Sequence, residues 1–156
     1  MSDTPDLDYK PLSRWRCDVC RELIEKPEEG YVVWNWDQNG QNADFKVIHH
    51  MRCDDNSSPA SLALPDLLGH DGAAKMLSWL SVGPVIIANN GGQGETRGVA
   101  DIDEFVDLFR RLQTPFYEEA RPAFKNYDVL ADLADANEVF PYTQYALRKI
   151  VKKPRT

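Results

Sequence analysis

The chain has 156 residues, of which 42 % are hydrophobic, and its 25 acidic and 18 basic side chains give a net charge of −7. This length and apolar content suffice for one domain, or for one domain with a small appended module. No apolar run approaches the roughly 18 residues of a membrane-spanning helix and no leader segment is recognisable, so we expect a soluble cytoplasmic protein without a membrane partner. A body this acidic also argues against a broad nucleic-acid surface.

The N-terminal third carries almost all the soft metal ligands of the chain. Residues 1–11 are polar, acidic and proline-bearing, and are predicted to be a disordered tail. The ligands that follow are Cys17, Cys20, His49, His50 and Cys53. Zinc favours a tetrahedron of thiolate and imidazole, and a CxxC turn brings two sulfur atoms together. The spacing therefore predicts one structural Zn²⁺, in a reducing compartment rather than in a disulfide framework.

A β-hairpin is predicted between the two halves of this ligand set. Residues 31–36 (YVVWNW) and 45–49 (FKVIH) are rich in β-branched and aromatic side chains, and Asn39-Gly40 between them is a strong turn dipeptide. The hairpin would return Cys53 and one histidine to the CxxC turn. Because neighbouring strand residues face opposite sides, only one of the two adjacent histidines can join the site.

This arrangement resembles the treble-clef and LIM-type zinc knuckles, in which a CxxC turn, a hairpin and a returning His/Cys pair enclose one metal. The resemblance covers residues 15–55. His50-x-x-Cys53 matches the LIM-type spacing, whereas the strings RWRCDVC, GYVVW and FKVIHHMRC are similar to uncharacterised bacterial or phage zinc-binding proteins with a single histidine at the position of His49. We therefore name His49 as the ligand and His50 as the alternative.

Two other roles for the cysteines compete with structural zinc. They could be small buried hydrophobic residues, or one of them could be a redox-active or nucleophilic thiol. A closed four-ligand site leaves neither a free thiolate nor an open coordination position, which disfavours Cys–His catalysis and a small zinc hydrolase.

Beyond a linker at residues 54–59, the pattern changes to helical periodicity. High apolar density over residues 61–80 predicts two short helices, separated near residues 69–72. Residues 85–88 (VIIA) are a candidate strand. The glycine-rich segment 89–98 lacks the Gly-Lys-Ser/Thr ending of a phosphate-binding loop, so it is interpreted as a surface loop.

The clearest helix is predicted to start after Asp101, whose carboxylate would cap the first turn while Glu104 reaches back. Its core-facing residues are Ile102, Phe105, Val106, Phe109 and Leu112. The side chains expected to point outward are Asp103, Asp107, Arg110 and Arg111.

Three further helices are predicted in the second half. Thr114 and Pro115 are suited to the N-cap and first position of one, and helical patterns cover 127–136 and 141–151. The adjacent carboxylates of FYEEARP, residues 116–122, point about 100° apart on a helix and do not converge on one substrate atom. They are expected to form an exposed face that pairs with Arg110, Arg111 or Arg121.

The C-terminus carries a basic cluster, made of Arg148, Lys149, Lys152, Lys153 and Arg155. Removing these five cations from the net charge of −7 leaves −12 for residues 1–147. The cluster is interpreted as a solvated helix end, whose cations complement the helix dipole. A local contact with phosphates is the alternative.

Together these patterns predict an α+β protein. A zinc-bound, treble-clef-like β-hairpin module at residues 12–55 would pack on a mostly helical body at 60–152, with a basic tail at 153–156. The side chains expected to fill the contact between the two parts are Trp15, Trp34, Trp36 and Trp79.

The predicted function is a non-enzymatic, zinc-stabilised interaction or regulatory protein that acts through contacts with another protein. The alternative is a nucleic-acid-binding regulator, in which the zinc hairpin and the basic tail together touch phosphates.

Overall fold

The computed structural model describes residues 10–84, 88–89, 92–93, 97–126 and 140–152. This part of the chain combines small antiparallel sheets with four α-helices, which confirms the predicted α+β class. The larger sheet is built from the first half of the chain, and the second half is mostly helical.

The first two strands form a short antiparallel pair that carries the CxxC turn. Strands β1 (Trp15–Arg16) and β2 (Leu23–Ile24) are paired so that Trp15 lies opposite Ile24. Both of these side chains are fully buried. A compact apolar base therefore supports the turn that presents the two cysteines.

The predicted hairpin is confirmed. Strands β3 (Gly30–Trp36) and β4 (Asn42–His49) pair antiparallel with Gly30 opposite His49, and a bulge interrupts the register between Val33 and Asn35. In the turn, Gly40 adopts a φ of +75°, a left-handed conformation that glycine tolerates at little cost. The carboxylate of Asp37 accepts hydrogen bonds from the backbone N–H groups of two turn residues and so fixes its shape.

Of the two helices predicted over residues 61–80, the second is confirmed, whereas a strand and a 3₁₀ helix stand in place of the first. Strand β5 (Ala60–Ala63) joins the sheet as a neighbour of β3, giving the order β4-β3-β5. A 3₁₀ helix at Leu64–Leu67 follows, and then one continuous helix, α1 (Gly69–Ser78). The interruption falls at Leu68, whose backbone is extended, and α1 runs through Gly72, where a Cβ would lie 2.0 Å from the carbonyl carbon of Leu67.

Helix α2 (Ile102–Gln113) starts at the predicted residue and has the predicted cap, but Ile102, which is predicted to face the core, is 53 % exposed. The carboxylate of Asp101 accepts hydrogen bonds from the N–H groups of Asp103 and Glu104. Glu104 does not reach back to complete a capping box. Its carboxylate instead accepts a hydrogen bond from the N–H of Phe45, 2.6 Å away, and so ties α2 to β4.

Removing the cap of α2 gives a modest, testable loss of stability. We expect Asp101→Ala to lower the free energy of unfolding by about 1 kcal/mol, because two N–H groups of the first turn lose their acceptor. Chemical denaturation of this variant and of Asp103→Ala measures the effect. Asp103 is an exposed acid of the same turn with no cap role, so an equal loss in both variants would show that the cap is not the cause.

Two short helices complete the described chain, α3 (Tyr117–Ala120) and α4 (Gln144–Lys152). The predicted start with Thr114 as N-cap and Pro115 as first residue is wrong. The residue before α3 is Phe116, which has a φ of +68°, and the helix begins two residues later than expected. The helix predicted over 141–151 corresponds to α4.

The core is divided into two clusters. The larger one joins the hairpin, α1 and α2, and contains Trp15 and Trp34 among its buried side chains. Trp79 packs against Trp34 with ring centroids 4.9 Å apart, as expected for residues that fill this contact. Trp36 is 44 % exposed instead, and its ring lies under the guanidinium of Arg97. The smaller cluster joins α3 to α4.

Some predictions fall on residues whose structure is not described. The helix over 127–136 and the tail at 153–156 are among them, as is the N-terminal segment before residue 10. Of the candidate strand and the glycine-rich segment, residues 88–89, 92–93 and 97–98 are described. The first four form a pair of two-residue strands, β6 (Ala88–Asn89) and β7 (Gly92–Gln93). No helix among the described residues is long and apolar enough to cross a membrane.

Candidate metal centre

The structure brings Cys17, Cys20, His49 and Cys53 together. One ligand atom from each residue lies within 4.8 Å of every other, the spacing expected of four groups around a single metal ion. Among the described residues, no other group of three or more histidine, cysteine or acidic side chains has this geometry.

Backbone hydrogen bonds shape the CxxC turn. The N–H of Arg21 donates to the carbonyl oxygen of Cys17 at 3.0 Å, and Arg21 adopts a φ of +69° to close the turn. The N–H of Val19 points at the sulfur of Cys17, 3.4 Å away. Both cysteine side chains are thereby held on the side of the turn that faces β4.

The two neighbouring histidines have different surroundings. His49 is buried at the end of β4, with its Nδ1 atom 3.4 Å from the sulfur of Cys20 and 3.7 Å from that of Cys53. His50 is exposed and stacks on the ring of Tyr31, with centroids 3.9 Å apart. The alternation of the strand thus turns His49 towards the sulfur atoms and His50 away from them.

The other ring nitrogen of His49 is already engaged. Its Nε2 atom lies 3.1 Å from the carbonyl oxygen of Leu23, at the start of β2. A carbonyl can only accept, so Nε2 carries the proton and Nδ1 has its lone pair directed towards the sulfur atoms. A backbone carbonyl that orients a metal-binding imidazole in this way is a common feature of metal sites.

The thiol pKa values show that these groups affect one another. Burial opposes the ionisation of Cys17, but hydrogen bonds from backbone N–H groups outweigh it and lower the pKa of Cys17 to about 6. Burial, with hydrogen bonds to Cys17 and Cys20, raises the pKa of Cys53 to about 11. Neighbouring thiolates repel one another, and a bound divalent cation would offset that repulsion.

A buried arginine anchors the CxxC turn to the helices. Arg111 is 3 % exposed and donates to the carboxylate of Asp18 at 2.8 Å, to both oxygens of Glu118 at 2.8 and 2.9 Å, and to the carbonyl oxygen of Arg16 at 3.0 Å. Burial would lower the pKa of Arg111, but its acidic partners raise it, so the guanidinium stays charged. Asp18 also accepts a hydrogen bond from the N–H of Val47 in β4.

This network corrects two predictions. Arg111 was expected to point outward from α2 but is buried, and the expected pairing of the FYEEARP carboxylates with arginine occurs in the interior, not on an exposed face. The signal that could have indicated this is the three-residue spacing of Phe105, Leu108 and Arg111, which places the arginine on the apolar side of the helix.

Comparisons with family models, with curated proteins and with solved structures found no match for this chain. The interpretation of this site therefore depends on its geometry alone. That geometry provides three sulfur atoms and one imidazole nitrogen that could hold a metal ion, in a fold of small sheets and helices.

Proposed function

We propose that the cluster of Cys17, Cys20, His49 and Cys53 holds one structural Zn²⁺ in a treble-clef-like module, and that the protein acts by contact with another protein. The observation that carries the proposal is the mutual approach of four ligand atoms within 4.8 Å, with the second nitrogen of His49 bonded to the backbone. Three sulfur ligands and one nitrogen suit zinc in a closed, tetrahedral site.

A closed site argues for a scaffold rather than an enzyme. Catalytic zinc needs a coordination position for water or substrate, and four protein ligands leave none. The CxxC turn is linked to the helices through the ion pairs of Arg111 with Asp18 and Glu118. A metal that fixes the turn would therefore also fix its position relative to the helices.

The contact surface that we propose is formed by the two ligand-bearing turns. Val19, between the first two cysteines, is 52 % exposed, and Met51, between His49 and Cys53, is 78 % exposed. Single exposed apolar residues are common on protein surfaces. Here, however, the metal would fix both turns, so the two side chains are presented on a rigid base at little cost in conformational entropy.

A paired substitution tests this surface. The unaltered chain is used to capture protein partners from an extract of the cells that naturally produce this chain. We expect Val19→Ser/Met51→Ser to lose a partner that the unaltered chain captures, with zinc content and melting temperature retained. Leu77→Ser is the matched control, because Leu77 is 50 % exposed on α1, away from the ligand turns. Quantitative mass spectrometry of the captured proteins is the measurement. The same partners on all three proteins would rule out this contact surface.

The nucleic-acid alternative makes a different prediction. Binding through phosphates falls steeply as salt rises, because counterions are released. In the described part of the basic cluster, the guanidinium of Arg148 lies over the ring of Phe116, 5.2 Å from its centroid. The neighbouring Ile150 is buried, so this end of α4 packs against the protein. A salt titration with a labelled oligonucleotide distinguishes the two functions.

A further inference from the structure

A cavity of about 520 Å³ lies beside the cluster of cysteines and His49. Its cationic lining residues are Arg16, Arg21, Arg121 and Lys125, and its acidic ones are Asp107 and Glu118. The first two arginines flank the CxxC turn, and the other two cations come from the segment that follows α3. This volume is in the range of cavities that bind small molecules.

Both acids of the cavity are paired with arginine, and the four cations of the lining outnumber the two acids. Glu118 receives two hydrogen bonds from the buried Arg111. Asp107 pairs with Arg121 at 2.7 Å and accepts a hydrogen bond from the hydroxyl of Tyr117. The cavity wall is therefore positive, although the whole chain has a net charge of −7.

Three of the cations have no compensating acid in the described part of the chain. No ion pair joins Arg16, Arg21 or Lys125 to any residue of the described ranges, and all three are exposed. One N–H of the Arg16 guanidinium donates to the carbonyl oxygen of Arg21 at 2.9 Å, which holds Arg16 in place. A guanidinium has five N–H donors, so donors remain for a ligand.

We propose that this cavity binds a phosphate monoester group. Such a group carries up to two negative charges and three acceptor oxygens, which matches several arginines and a lysine that converge from different segments. A single carboxylate would use fewer of these donors.

The aromatic lining favours a phosphate over a nucleobase. Phe124 packs against the rings of Tyr117 and Tyr142, with centroids 5.1 and 5.6 Å away. Its ring is thus engaged within the smaller core cluster, whereas proteins that bind single strands need free aromatic faces for stacking. The cavity recognises charge without a stacking platform.

The proposed site depends on the fold of the CxxC turn but not on a protein partner. Arg16 and Arg21 flank Cys17 and Cys20, and the hydrogen bond from Arg21 N–H to the Cys17 carbonyl oxygen sets their spacing. Loss of the metal would therefore also disorder the cavity. The test accordingly uses only zinc-loaded, folded protein.

Isothermal titration of the full, zinc-loaded chain with phenyl phosphate at low salt tests the proposal. We expect saturable binding of one ligand per chain, weakened about tenfold or more in Arg21→Gln/Lys125→Gln, since two charge-assisted hydrogen bonds are lost. Lys46→Gln/Lys75→Gln removes the same charge from positions outside the cavity lining and should bind as the unaltered chain does.

Two further ligands identify the source of the phosphate. Tighter binding of a phosphoserine peptide than of phenyl phosphate would assign the site to a phosphorylated partner protein. Similar affinity for both ligands would assign the site to small phosphorylated compounds. An absence of saturable binding, equal loss in both paired variants, or tighter binding of an oligonucleotide without terminal phosphate would overturn the inference. Zinc content and melting temperature are measured on the same samples. They distinguish failure of the phosphate site from failure of the proposed structural metal.

Discussion

Replacement of Cys17 by serine is expected to abolish zinc binding and to unfold the N-terminal hairpins. Cys17 is fully buried and its side chain is one of the four clustered groups that could hold a metal ion. Structural zinc contributes about 10 kcal/mol or more in isolated zinc fingers, as much as the total stability of many domains. We therefore expect Cys17→Ser to lose most of its cooperative thermal transition, not merely to shift it.

The matched pair His49→Ala and His50→Ala provides the control and identifies the ligand. The first variant should lose stoichiometric zinc, whereas the second should retain it, because His50 is exposed and its ring contacts that of Tyr31 instead of the cysteines. Elemental analysis of protein prepared without chelator, together with circular-dichroism melting, gives both readouts. If Cys17→Ser folded as the unaltered chain does, the metal would not be a component of the fold.

The hairpin and the candidate ligands could be predicted because most of the information is local. An Asn-Gly turn between two β-branched segments specifies the pairing, and strand alternation admits only one of His49 and His50 to the cluster. The choice of His49 rests on the resemblance of the surrounding strings, not on the alternation. The structure extends the second strand back to Asn42, whose side chain accepts hydrogen bonds from the indoles of Trp34 and Trp36. This extension depends on tertiary contacts and is not visible in the local pattern.

Strand β5 could not be predicted, because the information that specifies it is not local. The segment ASLA is rich in residues that favour helices, and only its pairing with the exposed edge of β3 makes it a strand. Local propensity is weak beside such a sheet contact. The same holds for Arg111, whose partner Asp18 is 93 residues away in the sequence.

Arg111→Met is expected to destabilise the protein by about 3 to 5 kcal/mol, because the carboxylates of Asp18 and Glu118 would be left without their buried counter-charge. Arg110→Met is the control: the same substitution one residue earlier removes only a cation–π contact with Tyr142, worth about 0.5 to 1 kcal/mol. Urea denaturation measures both. Equal losses in the two variants would show that the buried network does not stabilise the fold.

The same substitution should also weaken zinc binding, although Arg111 is not a ligand. Asp18 lies between Cys17 and Cys20, and its carboxylate links Arg111 to the N–H of Val47 in β4. Groups that orient a metal site in this way contribute about 10- to 100-fold in affinity. Competition with a coloured chelator under native conditions should show that loss for Arg111→Met. Arg111→Lys should show a smaller loss, because lysine keeps the positive charge but lacks the planar fork. Unchanged zinc affinity in a folded Arg111→Met protein would mean that the metal module and the helices are stabilised independently.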